Sequence, residues 1–224
     1  MLLEMTRAAQ TGLRKERQYE LSSNHLANVN TVGYKKEILS FDKVMKAKLT
    51  TDHSDGDVRT TGNKLDLALR GNGFFKIQTP DGIKYTRNGN FTLNSDGLLT
   101  THQGAPVMGG GGPVTIDGNN VFINTSGDVY VDGEEIVRLD IADFNDREQL
   151  FKEGGNLYSY KGNPQNEIVA EEVKIVQGGL ETANLSTVFE MTKMIETQRM
   201  YETAQKMMRT IDELDSKAIG MATQ

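Results

Sequence analysis

In residues 24–34 the chain runs Asn-His-Leu-Ala-Asn-Val-Asn-Thr-Val-Gly-Tyr, directly behind a helix-like segment. Asparagine and glycine accept the left-handed backbone angles at which helices end, and Asn and Thr side chains can bond the backbone groups left over there. Local chemistry alone therefore indicates an ordinary helix exit. The segments on its two sides decide what that exit connects.

The segment before the exit predicts a helix from Leu2 to about Ala27. Residues with good helix propensity are frequent in it, and its apolar residues lie broadly on one side. Its small residues Ala8, Ala9 and Gly12 bury little area but allow a neighbouring backbone to approach closely.

Past a polar connector, residues 65–176 consist of short apolar runs separated by turn dipeptides. Asp-Gly and Asn-Gly favour the positive φ angles of tight hairpins, so this pattern predicts a mostly antiparallel β domain. The dipeptides are Asp81-Gly82, Asn88-Gly89, Asp96-Gly97, Asp117-Gly118, Ser126-Gly127 and Asp132-Gly133.

After Gly178-Gly179 the apolar period changes to three or four residues, which predicts an amphipathic helix from Thr187 to Ile219. At 1.5 Å per residue this helix extends roughly 50 Å, so its apolar stripe needs a partner beyond the β domain. The N-terminal helix is the natural candidate. The predicted fold class is therefore α+β, with N- and C-terminal amphipathic helices that form a coiled-coil module and a central, mostly antiparallel β domain. The boundaries are an assembly helix and its exit (1–36), an extended connector (37–64), a β domain (65–177) and a second assembly helix (178–224).

The composition of the chain argues against several classes of function. The net charge of -6 disfavours nucleic acid as a partner, and the lack of cysteine excludes disulfides and thiolate chemistry. His25, His53 and His102 have no second ligand at metal spacing, so no metal or cofactor is expected. Residues 1–12 lack the apolar core of a secretory signal peptide, so any export would use another route.

No convergent catalytic set stands out. Asp140, Asp143 and Asp146 are spaced for an acid/base pair on a helix, but their segment is predicted to be strand and turn. No serine lies in a Gly-x-Ser-x-Gly elbow. We therefore expect a protein that is not an enzyme and has no small-molecule substrate.

Three motifs resemble the rod and hook proteins of the bacterial flagellum. The first is residues 24–34, where His25 departs from the usual second Asn. The second is Asp66–Phe75 with Tyr85–Phe91, and the third is Gly178–Asn184 leading into residues 190–202. They occur in the family's order and span nearly the whole chain.

The resemblance implies a structural subunit of the basal-body rod, whose terminal helices form a coiled-coil tube that transmits torque. It implies copies of itself and other rod and hook subunits as partners, and export through the flagellar type III apparatus. The short segment after the first helix favours the proximal rod, with the distal rod as the alternative. The expected assembly residues are Leu2, Met5, Leu13, Asn24, Leu26, Asn28, Asn30, Gly33, Tyr34, Val188, Met191, Ile195, Gln198, Tyr201, Met208 and Ile211.

Two other classes of function stay open. One is a β-rich surface binder, for example of glycans, carried on an oligomeric helical stalk. The other is an enzyme that cuts the cell wall, with Asp140 and Asp143 as its carboxylates. A closed oligomer would favour the first, and muramidase activity would favour the second.

Overall fold

The computed structural model of the protein describes residues 2–42, 46–170 and 172–222, with the backbone alone for residues 2–4, 215, 218–220 and 222. The chain divides into two compact units. Unit 1 comprises Met1–Val29, Leu39–Leu49 and Leu185–Gln224, and unit 2 comprises Asn30–Ile38 and Thr50–Asn184. The fold is α+β, and the strand pairings described within residues 58–181 are antiparallel, in agreement with the mostly antiparallel β domain predicted from the sequence.

Among the described residues, the regular elements are two long helices, nineteen strands and two short 3-10 turns at Arg147–Gln149 and Pro164–Asn166. The helices are α1 (Leu2–Ala27) and α2 (Thr187–Ala222). The strands are β1 (Glu37–Phe41), β2 (Ala47–Thr51), β3 (Val58–Thr60), β4 (Leu67–Arg70), β5 (Phe74–Thr79), β6 (Gly82–Thr86), β7 (Phe91–Leu93), β8 (Leu99–Thr101), β9 (Met108–Gly109), β10 (Gly112–Pro113), β11 (Val121–Ile123), β12 (Asp128–Val131), β13 (Glu134–Arg138), β14 (Ile141–Phe144), β15 (Leu150–Gly154), β16 (Leu157–Tyr160), β17 (Glu167–Val169), β18 (Lys174–Gln177) and β19 (Gly179–Glu181).

In unit 1, the helices α1 and α2 pack mostly through small and polar side chains, and the buried Leu21 of α1 is a large apolar exception. Buried positions on α2 recur every seven residues at Glu190, Thr197 and Ala204. On α1, Gly12 lies opposite the last of these: a Cβ added to Gly12 would stand 3.9 Å from Ala204 Cβ. Such small residues let two helix backbones approach closely while burying little apolar area.

The largest sheet of unit 2 has six strands in the order β15-β16-β6-β5-β14-β17. Strand β5 is covered on both faces. Phe75 and Ile77 point into one apolar cluster with Leu67, whereas Phe74 points into a second cluster rich in aromatic rings. Full burial of one such side chain stabilises the folded state by about 1.5–3 kcal/mol.

Turn chemistry explains several of the strand connections. Asp132 and Gly133 both have positive φ and join β12 to β13, whose residues Val131 and Glu134 pair across the turn. This is the geometry of a type I′ hairpin. Asn88-Gly89 differs from the sequence-based prediction, because it joins β6 to β7, which do not pair with each other. The backbone of Gly89 instead lies against Leu67, whose N–H bonds the Gly89 carbonyl at 2.9 Å.

Residues 37–64, predicted as an extended connector, contain strands β1, β2 and β3. The first two form a two-stranded hairpin, and β3 pairs with β19. Neither helix that the structure describes is long and apolar enough to span a lipid bilayer.

Candidate assembly surface

The end of α1 satisfies its own backbone groups through the asparagines that the sequence singled out. The Asn28 N–H donates to the carbonyls of Asn24 (3.2 Å) and His25 (3.1 Å), and the Asn28 side-chain amide donates to the Asn24 carbonyl at 2.9 Å. These bonds occupy carbonyls that a helix end would otherwise leave without partners. The structure thus gives Asn24 and Asn28 a role within the subunit as helix-ending residues.

Gly33 and Tyr34, six and seven residues beyond α1, are buried within unit 2. Gly33 has a φ of +67°, and its N–H donates to the Glu181 carbonyl at 2.8 Å. A Cβ at this position would lie 2.6 Å from the Arg87 carbonyl carbon, so only glycine fits without backbone movement. The Lys152 ammonium lies 4.4 Å from the centre of the Tyr34 ring.

A charge cluster, defined here as the buried Lys35, Arg87 and Glu181 together with the exposed Asp55, lies beside that glycine in unit 2. Lys35 Nζ is 2.6 Å from Glu181 Oε1, and Arg87 NH1 is 3.5 Å from both Glu181 Oε2 and Asp55 Oδ1. Lys35, Arg87 and Glu181 are nearly inaccessible to solvent. Burial, and next the neighbouring Arg87 charge, lower the pKa of Lys35, while the Glu181 carboxylate opposes that shift.

The cluster joins the three motifs that carry the family resemblance. Lys35 directly follows the first motif, Arg87 lies in the second and Glu181 in the third. The Glu181 carboxylate also accepts the Gly56 N–H at 2.8 Å, and Arg87 donates to the Gly71 carbonyl at 2.6 Å. The cluster therefore holds together, within unit 2, the segments that follow α1 and precede α2.

The partly buried position of His53 in unit 2 predicts that the stability of the protein depends on pH. Its ring lies 5.5 Å from Phe74 and 5.9 Å from Tyr158, centre to centre. Burial first, and then the charges of Arg147 and Lys35, lower the pKa of His53 from 6.5 to about 4. The unfolded chain therefore binds a proton between these two values that the folded chain does not.

Because of that difference, the contribution of His53 to stability is complete above pH 6.5 and falls as the pH drops toward 4. We expect the free energy of unfolding to fall by up to about 3 kcal/mol over this range. His53→Phe should remove this part of the pH dependence, whereas His102→Gln should keep it. Urea unfolding of the three proteins between pH 7 and 4 measures the difference, and parallel curves would contradict the assignment.

The structure separates the expected assembly residues on the helices into two groups. Exposed positions are Met5, Leu13 and Gln198 together with Val188, Met191 and Ile195 at the start of α2. Partly buried positions are Leu26, Tyr201, Met208 and Ile211. Asn30, beyond α1, is exposed. The side chain of Leu2 lies outside the described residues.

One exposed apolar stripe at the start of α2 consists of Val188, Met191 and Ile195. A second exposed stripe on α2, which was not predicted from the sequence, consists of Met200, Met207, Leu214 and Met221. These residues recur every seven positions, so they follow one side of the helix. Ile195 and Met207 are 51% and 55% exposed. At about 100° per residue they project roughly 120° apart around the axis, so the two stripes face different directions. The recurrence of apolar residues every seven positions is the sequence signal from which the second stripe could have been predicted.

A cavity of about 350 Å³ opens within unit 1 on a flank of the two helices. The residues that line it are Glu16 and Tyr19 of α1 and Gln198, Tyr201, Glu202 and Gln205 of α2. Two of these six residues, Gln198 and Tyr201, were predicted as assembly residues. The cavity combines carboxylates with aromatic rings, which suits a cationic side chain.

The three carboxylates considered for catalysis each have a partner within unit 2. Asp140 accepts the backbone N–H groups of Gly110 and Gly111, and Asp143 accepts two bonds from the Arg147 guanidinium. Asp146 accepts the Tyr160 hydroxyl. In the part of the chain that the structure describes, no three His, Cys, Asp or Glu side chains are grouped to hold a metal ion.

Comparison with known proteins agrees with this arrangement. Residues 68–131 match the domain family described as flagellar hook protein FlgE/F/G D1 domain, and residues 176–221 match flagellar basal body rod FlgEFG protein C-terminal. The chain is 35% identical to the flagellar basal-body rod protein FlgF of Caulobacter vibrioides, over 96% of this chain and 97% of that protein.

The chain belongs to the flagellar rod and hook protein family. Other similar members are FlgF of Mesorhizobium japonicum, with 28% identity over 91% of both chains, and FlgG of Bacillus subtilis, with 30% identity over 90% of this chain and 92% of that one. The resemblance stated from the motifs is therefore confirmed. The matched regions carry Arg87 and Glu181 of the charge cluster and both exposed stripes of α2, so the family's shared segments contain the features described above.

Proposed function

We propose that this protein is a structural subunit of the flagellar basal-body rod, and that it polymerises through its terminal helices into a hollow shaft that transmits torque. One observation carries the proposal: apart from Leu21, the fully buried residues described on α1 and α2 are small or polar, and most large apolar side chains on α2 are exposed. Exposed side chains on the described part of α2 include Val188, Phe189, Met191, Ile195, Met200, Met207, Leu214 and Met221.

An exposed apolar surface of this extent marks an interaction site. Helices that belong to neighbouring subunits are the natural partners, since burial of the exposed half of each such Met or Ile would contribute roughly 1 kcal/mol. Contacts that join different surfaces of successive copies do not close, and so they generate a helical filament. The terminal helices would then form a coiled-coil layer around a central channel, with other rod and hook subunits continuing the shaft at its two ends.

The proximal rod is the position we propose, and the distal rod is the alternative. The 35% identity to FlgF of Caulobacter vibrioides supports the proximal assignment, whereas FlgG of Bacillus subtilis, at 30%, exceeds FlgF of Mesorhizobium japonicum, at 28%, and keeps the distal rod as the alternative. In this proposal the subunit reaches the rod through the flagellar type III export apparatus, without a cleaved signal peptide, and functions where the rod crosses the periplasm.

Deletion of the gene tests the proposal. We expect non-motile cells whose isolated basal bodies carry a rod that stops within its proximal part, because later subunits have nothing to add to. A plasmid copy of the intact chain should restore swimming. Electron cryo-microscopy of the basal bodies measures rod length, and a deletion strain with complete rods and normal swimming would contradict the proposal. A rod that stops only at its distal end would favour the distal alternative.

A further inference from the structure

The sulfur of this chain is concentrated on α2. The sequence contains ten methionines and neither cysteine nor tryptophan, so the methionine thioether is its most readily oxidised side-chain group. Six of the ten methionines belong to α2, whereas unit 2 contains only one, Met108. An oxidant that reaches the subunit therefore acts mainly on unit 1, and within it mainly on this helix.

The methionine stripe, defined here as Met200, Met207, Leu214 and Met221, exposes three of these thioethers to solvent. Its methionines are 51%, 55% and 75% exposed in chain order, more than any other methionine whose side chain the structure describes. Met108 is partly buried. Because oxidation of methionine follows the access of the oxidant to the sulfur, the stripe is where a dissolved oxidant should react first.

The oxidation changes the polarity of the side chain and leaves the helix in place. A peroxide transfers one oxygen atom to the methionine sulfur and its O–O bond breaks. The thioether is oxidised by two electrons to a sulfoxide, and hydrogen peroxide leaves as water. In the separate subunit the new oxygen is hydrated, and the α1–α2 contact, which buries Thr197 and Ala204 of α2 instead, is not disturbed. In an apolar contact between subunits the same oxygen would lose its water, which opposes burial.

We infer that the methionine stripe is an oxidation-sensitive site of assembly: a peroxide converts Met200, Met207 and Met221 of the unassembled subunit to sulfoxides, and the oxidised copy is excluded from the rod. This inference rests on the proposed function, in which helices of neighbouring subunits bury the stripe. The family's shared C-terminal segment, residues 176–221, contains the whole stripe, which supports that role. Burial in the rod shields the sulfurs, so the modification acts on new subunits and leaves the finished shaft intact.

Oxidation of the purified intact chain tests the site itself. The chain is treated with hydrogen peroxide, and peptide mass spectrometry follows each methionine. We expect the three stripe methionines to be oxidised about threefold or more faster than Met108, because their sulfurs are more accessible. The thermal unfolding midpoint should move by no more than about 2 °C, since the α1–α2 contact is untouched. Oxidation of Met108 at the same rate as the stripe, or unfolding of the oxidised chain, would overturn the inference.

Assembly in cells tests the consequence. The matched variant combines Met200→Leu, Met207→Leu and Met221→Leu, which keeps apolar side chains of similar volume and removes the sulfur. The natural and the substituted chain are each induced in cells that lack the natural gene and methionine sulfoxide reductases, and hydrogen peroxide is pulsed at induction. We expect about fivefold fewer new rods from the natural chain than from the substituted one, because every contact of an oxidised copy would bury a sulfoxide. Damage to other proteins is the same in both strains.

Met207→Gln provides an independent arm, because its amide oxygen makes the position polar without any oxidant and should reduce rod content. Equal loss of rods in the two peroxide-treated strains would overturn the inference and leave the rod function intact. The same holds for normal rods with Met207→Gln, or for a substituted chain that fails to assemble without peroxide. Failure of the rod function itself would appear as complete rods in the deletion strain, so the two failures are distinguishable.

Discussion

Replacing Glu181 with Ala should lower the free energy of unfolding of unit 2 by about 3–5 kcal/mol, because it leaves two buried cations without their shared carboxylate. Lys35 Nζ lies 2.6 Å from this carboxylate, and Arg87 NH1 lies 3.5 Å from it. Both side chains are about 1% exposed, so water cannot replace the lost partner. The Gly56 N–H loses its acceptor as well.

Urea unfolding of the intact chain near pH 7 measures this effect. Arg138→Ala is the matched control, because Arg138 makes an ion pair at 3.8 Å with Asp128 but is 60% exposed. Exposed pairs contribute about 0–1 kcal/mol, so its loss should be small. The double variant Lys35→Met with Glu181→Leu should lose less than the sum of the single changes, since it removes both members of the closest pair. If Glu181→Ala costs no more than Arg138→Ala, the cluster is not a stabilising feature.

The helices were the most predictable part of this fold. The predicted N-terminal helix, from Leu2 to about Ala27, agrees with α1, and the predicted Thr187–Ile219 helix agrees with α2 except that α2 continues to Ala222. Both depend on a period of three to four residues, and the end of α1 depends also on the exit at Asn28 and Gly33; these are local signals. Type I′ turn chemistry at Asp132-Gly133 is local in the same way.

The charge cluster could not be predicted, because its contacts join distant parts of the chain. Lys35 and Glu181 are 146 positions apart, and nothing in either neighbourhood marks the other as its partner. For the same reason the predicted segment boundary after Lys36 reflects only the local residue pattern. In the structure, Asn30–Ile38 belongs to unit 2. The sequence motifs contain Arg87 and Glu181 and end next to Lys35, but only the fold shows that these three residues are in contact.

Among the predicted assembly residues on α2, some are exposed and others are partly buried by the same subunit. The period of the sequence identified Ile195, which is exposed, and Met208, which is partly buried. Periodicity reveals an apolar stripe but does not say which part of it the same subunit covers. Small residues at the α1–α2 contact, such as Ala204 and Gly12, leave the larger apolar side chains on the flanks.

Met207→Asp and Ile195→Asp should each abolish swimming and rod assembly, while the isolated subunit keeps its stability to within about 1 kcal/mol. Both side chains are about half exposed in the subunit, so a carboxylate there remains hydrated. In an assembled rod the same carboxylate would be buried among apolar neighbours, at a cost of several kcal/mol in every subunit contact. Met208→Asp is a poorer test, because the subunit itself partly buries Met208.

Because Ile195 and Met207 face different directions, the two substitutions test separate contacts of α2. Met207→Leu is the control, since an apolar side chain of similar volume should preserve packing and swimming. Swimming on soft agar and rod content of isolated membranes report assembly, and thermal unfolding of the purified chain reports the subunit. Normal swimming of Met207→Asp would mean that the methionine stripe stays in solvent in the rod. If Ile195→Asp alone abolished swimming, the stripe that begins at Val188 would be the contact surface. The methionine stripe that contains Met207 would then have another role.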